Sequence, residues 1–271
     1  MGRQHLRARD LHPPVGTHYA CGLGLDCLRR RGLQSRLKPL FEGVLCLAVL
    51  AGLPLLILAP ALGGDVFPMA LEGALAYPPW QAAEVTSAAE TVAPAEPPAG
   101  LAGQQALRYY PWMRFLNDST TRGDSLWWYP LEGGGLPFAA LWEARAFSPF
   151  TVPVYLSGLA GGLALSYYLK LLVAGLTALY AALRFGLSRP LGLFVAVAFQ
   201  CSGAVLGWLP YPEADTLVWL PLLVLAVELL VLGFVRAWPM LAFVVAMMGL
   251  GGSPGARSEE HTSELQSRMF I

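Results

Sequence analysis

Carboxylates are the side chains of this sequence best suited to catalysis. The four histidines all lie near the two ends of the chain, at His5, His12, His18 and His261. A histidine-based triad or a histidine-ligated metal is therefore excluded for the body of the chain. The glycine-rich loops that bind nucleotides are also missing from the sequence, and we expect no cofactor, metal ion or nucleic-acid partner. If the protein is an enzyme, Asp and Glu are left to carry its acid–base chemistry.

A short repeat places polar residues ahead of two aromatic–proline–tryptophan ends. One copy runs from Glu72 to Trp80 and the other from Gln104 to Trp112, and each has a polar residue, then Ala-Leu, then the aromatic end. Proline restricts the chain to extended or turn conformations, and Tyr and Trp favour the boundary between membrane and water. Each copy could hold a polar group at one depth, or serve only as an interfacial anchor.

A glycine triplet follows this repeat and indicates a folded loop. Gly133–Gly135 lies between Pro130 and Pro137, shortly after the pair Trp127 and Trp128. Consecutive glycines permit turns with positive φ and a close approach of the backbone. This pattern is more typical of a loop that lines a cavity than of a free linker.

The elements that must position these residues are membrane helices. The chain has 271 residues, of which 55% are apolar and only 13% charged, against roughly 25% charged in soluble domains. Spanning a bilayer takes about 20 apolar residues. The sequence predicts an all-α, polytopic transmembrane bundle with these apolar runs: Phe41–Leu62, Gly162–Leu183, Leu191–Trp208, Thr216–Val235 and a truncated Pro239–Leu250.

Basic residues orient the predicted bundle. Residues 1–40 contain eight Arg or Lys and two Asp immediately before the first apolar run, so the positive-inside rule predicts a cytoplasmic N-terminal tail. The loop 184–190 and Arg236 are basic, whereas the short loop Leu209–Asp215 is acidic, in agreement with that orientation. The long loop 63–161, with a flexible connector over 82–103 and interfacial segments, is then extracytoplasmic. We expect a multi-pass membrane protein, in contact with the lipids of its bilayer.

Two further features bear on this organisation. Lys170 and Glu228 lie inside predicted spans, where ionisable groups are functional candidates, although we favour structural roles such as pairing or snorkelling.

Residues 257–271 begin with RSEEHTSELQS, which resembles the in-frame translation of a sequencing-library adapter, and they are excluded from fold reasoning. The bundle is then expected over 162–250, with about four spans, as an N-terminal fragment of a longer protein.

Seven segments taken in order resemble the bacterial YfhO-like membrane protein family, which belongs to the GT-C class of glycosyltransferases. The resemblance covers residues 65 to 255. It is carried by YPPW (77–80), RYYPWMRF (108–115), LWWYPLEGGGLPF (126–138), AALRFGLSR (181–189), FQCSGAVLGWLPYPEA (199–214), WLPLLVLAVELL (219–230) and GLGGSPG (249–255). The family implies many spans and a large first outer loop. It also implies transfer of a sugar from a polyprenyl-phosphate carrier to an envelope glycan or lipid acceptor on the outer face.

The resemblance also implies roles for particular residues. The family places an acidic residue in the first outer loop as the base that deprotonates the acceptor hydroxyl. Its pattern has aspartate five residues before each aromatic–proline–tryptophan end, where this chain has Glu72 and Gln104. Gln104 cannot act as a base, which leaves Glu72, or Asp65 just after the first span.

Four further residues are candidates for binding the substrate. Arg108 and Arg114 could each hold the lipid phosphate through two hydrogen bonds, or be ordinary interfacial charges. Trp127 and Trp128 could stack on sugar or lipid.

These observations leave three functional hypotheses. The first is a membrane glycosyltransferase with Glu72 or Asp65 as the base. The second is a transporter or lipid-handling protein without transfer chemistry, suggested by Gln104 and by the charged residues inside spans. The third is a scaffold or an inactive paralogue.

Overall fold

A computed structural model describes residues 21–64, 66–69 and 105–252, with side chains from residue 41 onward. The chain divides into two compact units, residues 1–45 and residues 46–271. The protein is all-helical, with no β-strand in the described ranges, which confirms the predicted class. The helices are α1 (Cys21–Leu62), α2 (Tyr110–Arg122), α3 (Val152–Ser157), α4 (Leu159–Arg184), α5 (Arg189–Gln200), α6 (Gly203–Gly207), α7 (Pro212–Leu217), α8 (Leu220–Val231) and α9 (Trp238–Leu250).

Four helical segments are long and apolar enough to cross a bilayer. They comprise Phe41–Leu62, Leu159–Arg184, Arg189–Gly207 and Pro212–Val231, and a shorter apolar helical segment, Val235–Leu250, follows them. The fourth segment begins four residues before the expected Thr216, because Pro212 occupies the first turn of α7, where its missing N–H costs nothing. The length and composition of these helices are those of membrane-spanning segments.

The third and fourth of these segments are each interrupted. Ser202 separates α5 from α6 and caps α6, since its hydroxyl accepts a hydrogen bond from the Val205 amide at 3.3 Å. The fourth segment breaks between α7 and α8, and Pro221 starts α8. The Val218 carbonyl at this break accepts a hydrogen bond from the Thr177 hydroxyl of α4 at 2.7 Å. A neighbouring helix thus satisfies a backbone group that the break leaves open, as membrane burial demands.

A glutamine connects three helices in the same way. Gln200 of α5 is fully buried, and its amide nitrogen donates to the Leu50 carbonyl of α1 at 3.0 Å and to the Leu171 carbonyl of α4 at 2.9 Å. Leu50 lies four residues before Pro54, which has no N–H to donate to that carbonyl. Gln200 therefore supplies the hydrogen bond that the proline removes.

The described part of the long first loop, residues 105–158, is folded rather than extended. A π-helical turn, Gln105–Tyr109, leads into α2, which buries Trp112, Met113 and Leu116. These side chains form an apolar core with Phe138 and Tyr129. Tyr129 also pairs with Leu136 across the glycine triplet in an isolated antiparallel bridge, so the triplet closes a turn as the sequence predicts. The expected connector, residues 82–103, lies outside the described residues.

Gly162 allows a close approach of the backbones where α3 packs on α4. A Cβ atom at this position would overlap the Val154 backbone. We therefore expect Gly162→Ala to destabilise the protein by about 1–3 kcal/mol, the usual cost of overpacking. Gly161→Ala is the matched control, because that Cβ would meet nothing within 4 Å. Thermal unfolding in detergent compares the two variants, and an equal midpoint for both would contradict this account.

Candidate functional site

A buried ion cluster lies among the described residues of the bundle. The Asp215 carboxylate contacts the Lys170 ammonium at 2.6 Å and the Arg145 guanidinium at 3.3 Å. It also accepts a hydrogen bond from the Ser148 hydroxyl at 2.6 Å. The exposed fractions are 0% for Lys170, 1% for Asp215 and 4% for Arg145. Charges this deeply buried are retained only when they are paired and hydrogen-bonded, and Lys170 is found paired, one of the two structural roles expected for it.

The two cations of the cluster also hold the backbone between α6 and α7. Lys170 donates to the Leu209 carbonyl at 3.0 Å, and Arg145 donates to the carbonyls of Pro210 and Tyr211 at 3.4 Å each. Lys170 reaches this turn from the middle of α4. Three consecutive carbonyls at the turn before α7 thereby accept hydrogen bonds from buried cations.

Arg145 is held in an uncommon backbone conformation. It follows the 3-10 turn Trp142–Ala144, and its φ of 54° is the one positive value at a non-glycine position in the described chain. A non-glycine residue with positive φ is strained and persists when its surroundings fix it. Here the ion pair with Asp215 and the hydrogen bond from the Thr151 hydroxyl to the Arg145 carbonyl, at 2.8 Å, provide that support.

Two glycines after α9 pack closely against the ion cluster and the turn beside it. A Cβ atom at Gly251 would lie 3.0 Å from the Asp215 Cβ, and one at Gly252 would overlap the Trp142 carbonyl oxygen. Gly252 also has a φ of 90°, which larger residues rarely adopt. Only glycine fits at position 252, because a larger residue would overlap Trp142 and the Arg145 side chain.

A second charged group lies at a partly exposed position beside the cluster. Arg108 pairs with Glu143 at 3.1 Å and stacks over the Trp112 ring at 4.9 Å. Burial raises the pKa of the Tyr109 hydroxyl, and the nearby Glu213 and Glu143 carboxylates raise it further. The phenol stays protonated at neutral pH and can donate a hydrogen bond. One oxygen of the Glu213 carboxylate is buried without a hydrogen-bond partner among the described residues.

Contacts with Tyr211 join the folded loop to the turn before α7. The Gln105 amide nitrogen donates to the Tyr211 hydroxyl at 2.8 Å, and the Tyr109 and Tyr211 rings meet edge to face with centroids 5.7 Å apart. Arg108, Tyr109, Glu143 and Glu213 are here called the rim group. Arg108 and Glu143 are partly exposed, and Glu213 lies near Tyr109. A guanidinium, two carboxylates and a phenol can bind a phosphate or hydroxyl ligand and exchange protons with it.

The predicted site residues have different locations. Both base candidates, Asp65 and Glu72, lie outside the described residues, as does Gln104. Arg108 belongs to the rim group, whereas Arg114 is exposed on α2 and pairs with Asp118 at 3.6 Å. Trp127 and Trp128 are 72% and 55% exposed, available to a ligand or a membrane surface. The Trp128 ring lies against Gly135.

Sequence reasoning missed Arg145, Ser148 and Asp215. Asp215 was expected in a short outward loop, but it lies in the first turn of α7 and is almost fully buried. The signal that could have found it is Lys170, because a lysine inside a span needs an anionic partner. Asp215 is an acidic residue at the very start of an apolar run. Glu228, the other charged residue inside a span, lies on an exposed side of α8.

Comparisons with known proteins add no assignment. No family model, curated protein or solved structure matches the chain. Within the described residues, no group of three His, Cys, Asp or Glu side chains is arranged to hold a metal ion.

Proposed function

We propose that this chain is a membrane glycosyltransferase that moves a sugar from a polyprenyl-phosphate carrier to a cell-envelope acceptor. The reaction takes place at the outer face of the bacterial cytoplasmic membrane, with the N-terminus in the cytoplasm. One observation carries the proposal: the first long loop folds against the bundle through Tyr211 and brings Arg108, Tyr109 and Glu143 together with Glu213. The substrate class comes from the resemblance to the YfhO-like family.

Arg108 has the properties required of a phosphate-binding residue. Its side chain is 40% exposed and already held by the Glu143 carboxylate. A carrier phosphate offers the guanidinium the same paired oxygen geometry. Arg114, which is exposed two turns along the same helical region, is the second candidate. Trp127 and Trp128 present open ring faces on which a sugar or an isoprenoid chain can stack.

A second candidate function is supported by the buried ion cluster. Charged side chains inside membrane spans commonly line pathways for ions, protons or lipid head groups. The Lys170–Asp215 pair lies within two of the four spanning segments, so a lipid-handling or transport protein without transfer chemistry is the alternative.

Amide substitutions of the two base candidates separate these functions. We expect Glu72→Gln or Asp65→Asn, whichever removes the base, to lower sugar transfer at least about a hundredfold, the usual contribution of a general base. The measurement follows transfer from a polyprenyl-phosphate-linked sugar in proteoliposomes.

Glu132→Gln is the matched control, because Glu132 is an exposed loop carboxylate and its loss should leave transfer unchanged. Full activity in the double variant Glu72→Gln/Asp65→Asn would refute the site assignment. Absence of transfer in the unmodified protein, with retention of lipid binding, would favour the second function.

A further inference from the structure

The short helix α3 leaves one apolar side exposed just before α4 begins. Val152 and Leu156 lie one turn apart on this side, and Leu156 is 82% exposed. The opposite side is buried through Pro153 and Val154, where Gly162 of α4 allows the close approach. A helix that is apolar all round is normally covered on every side. We therefore expect a cover over Val152 and Leu156 as well.

Two aromatic rings extend this exposed side along the first loop. Phe147 and Trp142 are both mostly exposed, and they line the same small cavity, so the two rings lie close together. An exposed tryptophan next to apolar side chains is typical of the boundary between membrane and water. Trp142, Phe147, Val152 and Leu156 are here called the loop surface.

No charged residue interrupts the chain between this surface and the next helix. The sequence from residue 146 to residue 169 contains no Asp, Glu, Lys, Arg or His, and it leads directly into the candidate span Leu159–Arg184. Charged residues are the types most often found exposed on proteins in water. Their absence from an exposed stretch favours an apolar environment.

The polar side chains of this stretch are satisfied within the protein. All four hydroxyl groups between residues 146 and 158 donate a hydrogen bond to a protein acceptor, namely those of Ser148, Thr151, Tyr155 and Ser157. Ser157 is exposed, yet its hydroxyl donates back to the Pro153 carbonyl of its own helix at 2.8 Å. Polar groups that face lipid have to be satisfied in this internal way. The stretch therefore meets the hydrogen-bonding requirement of a lipid environment.

Chain length places the loop surface at a membrane interface. Helix α4 has 26 residues, and at 1.5 Å per residue it is about 39 Å long, close to the roughly 40–45 Å of a bilayer with its head groups. Leu159, its first residue, then lies in a head-group layer when α4 crosses the membrane. Leu156 is three residues earlier, at most about 11 Å away. With six residues, α3 is too short to cross, so it lies along the interface.

We infer that the loop surface docks on the bilayer itself, with Leu156 and Phe147 in contact with lipid chains and Trp142 at the level of the head groups. Lipid is the occupant because exposed apolar residues continue from α3 into α4, at Ala160 and Leu165. The docked surface holds the folded first loop, with the rim group, against the membrane. This attachment holds whether or not the protein transfers a sugar.

Spin labels on the loop surface test the inference. Leu156→Cys and Phe147→Cys are made separately in the full chain with its four native cysteines replaced by alanine, and each labelled protein is reconstituted into dioleoyl phosphatidylcholine vesicles. Collision rates of the label are measured with oxygen, which concentrates in the apolar layer, and with a nickel chelate, which stays in water. Because both side chains are exposed, their replacement leaves the core intact.

Two control positions calibrate the ratio of the oxygen rate to the chelate rate. Thr121→Cys lies at an exposed position near the charged end of α2, beside Arg122, and should report water. Phe194→Cys replaces a mostly exposed ring on α5, inside the candidate span Arg189–Gly207, and should report lipid.

We expect the ratio at both loop-surface positions to exceed that of Thr121→Cys at least about fivefold, because oxygen partitions into apolar surroundings and the chelate does not. A ratio closer to that of Thr121→Cys than to that of Phe194→Cys would show that water covers the surface. A label that neither reagent reaches would show that protein covers it, whether a second copy or another segment of this chain. Either result would overturn the inference.

Discussion

Asp215→Asn is expected to lower the free energy of unfolding by about 3–5 kcal/mol, the cost of removing one partner from a buried ion pair. The substitution preserves the side-chain volume but leaves the Lys170 ammonium and the Arg145 guanidinium buried without a counter-charge. Both cations lie close together, so they would also repel each other. Denaturant unfolding in mixed micelles, followed by circular dichroism, measures the change.

A charge-restoring double variant tests the electrostatic cause. Asp215→Asn/Lys170→Met removes one cation along with the carboxylate, and the buried part of the cluster returns to its original net charge. We expect it to recover a substantial part of the lost stability.

Asp118→Asn is the matched surface control. Asp118 pairs with Arg114 and Arg122 at the exposed surface of α2, where ion pairs contribute little. A loss in Asp215→Asn no larger than the loss in Asp118→Asn would show that the buried cluster is not a major determinant of stability.

Trp112→Ala is expected to cost about 3–5 kcal/mol, the range observed when a buried tryptophan or phenylalanine is truncated. The Trp112 ring is among the largest fully buried side chains and meets Tyr109 and Phe138 edge to face, with centroids 5.8 and 6.4 Å away. Its removal leaves a cavity between α2 and the rest of the folded loop. Because the π-helical turn that contains Arg108 leads directly into α2, we expect this loop to open and become sensitive to protease.

The measurement combines unfolding in detergent with limited proteolysis of the protein in proteoliposomes. Trp127→Ala is the matched control, since the same side chain is removed from a mostly exposed position. It should leave both stability and protease resistance nearly unchanged. If Trp112→Ala resists protease as well as Trp127→Ala does, the first loop does not depend on this core for its fold.

The rim group shows how far a motif can predict a site. The aromatic–proline–tryptophan end drew attention to Arg108, but nothing in the sequence near Arg108 identifies Glu143 as its partner. Arg114 matches Arg108 in residue type and lies in the same motif. It nevertheless faces outward on α2, because the apolar side of that helix is set by Trp112, Met113 and Leu116. The rotation of α2 about its axis, which the fold sets, therefore decides which of the two arginines lies beside the rim group.

Pro54 likewise separates what the sequence shows from what only the fold decides. Pro54 inside the first span is visible in the sequence, and so is the backbone carbonyl of Leu50 that it leaves without its usual donor. That Gln200 supplies the missing donor depends on how α5 packs against α1 and α4. The sequence around Pro54 shows that the Leu50 carbonyl needs another donor. Which residue donates depends on the packing of helices that are distant in the sequence.

The sequence by itself determined that the chain is helical, with segments long and apolar enough to cross a membrane, because hydropathy is a sum over about 20 consecutive residues and needs no tertiary information. Only the tertiary structure decided which charges meet. Arg145 and Asp215 lie 70 residues apart in the sequence, and they form an ion pair because the loop turns back on the bundle where α7 begins. The energy of a buried charge depends on what lies within a few ångströms of it, and those neighbours are contributed by distant parts of the chain.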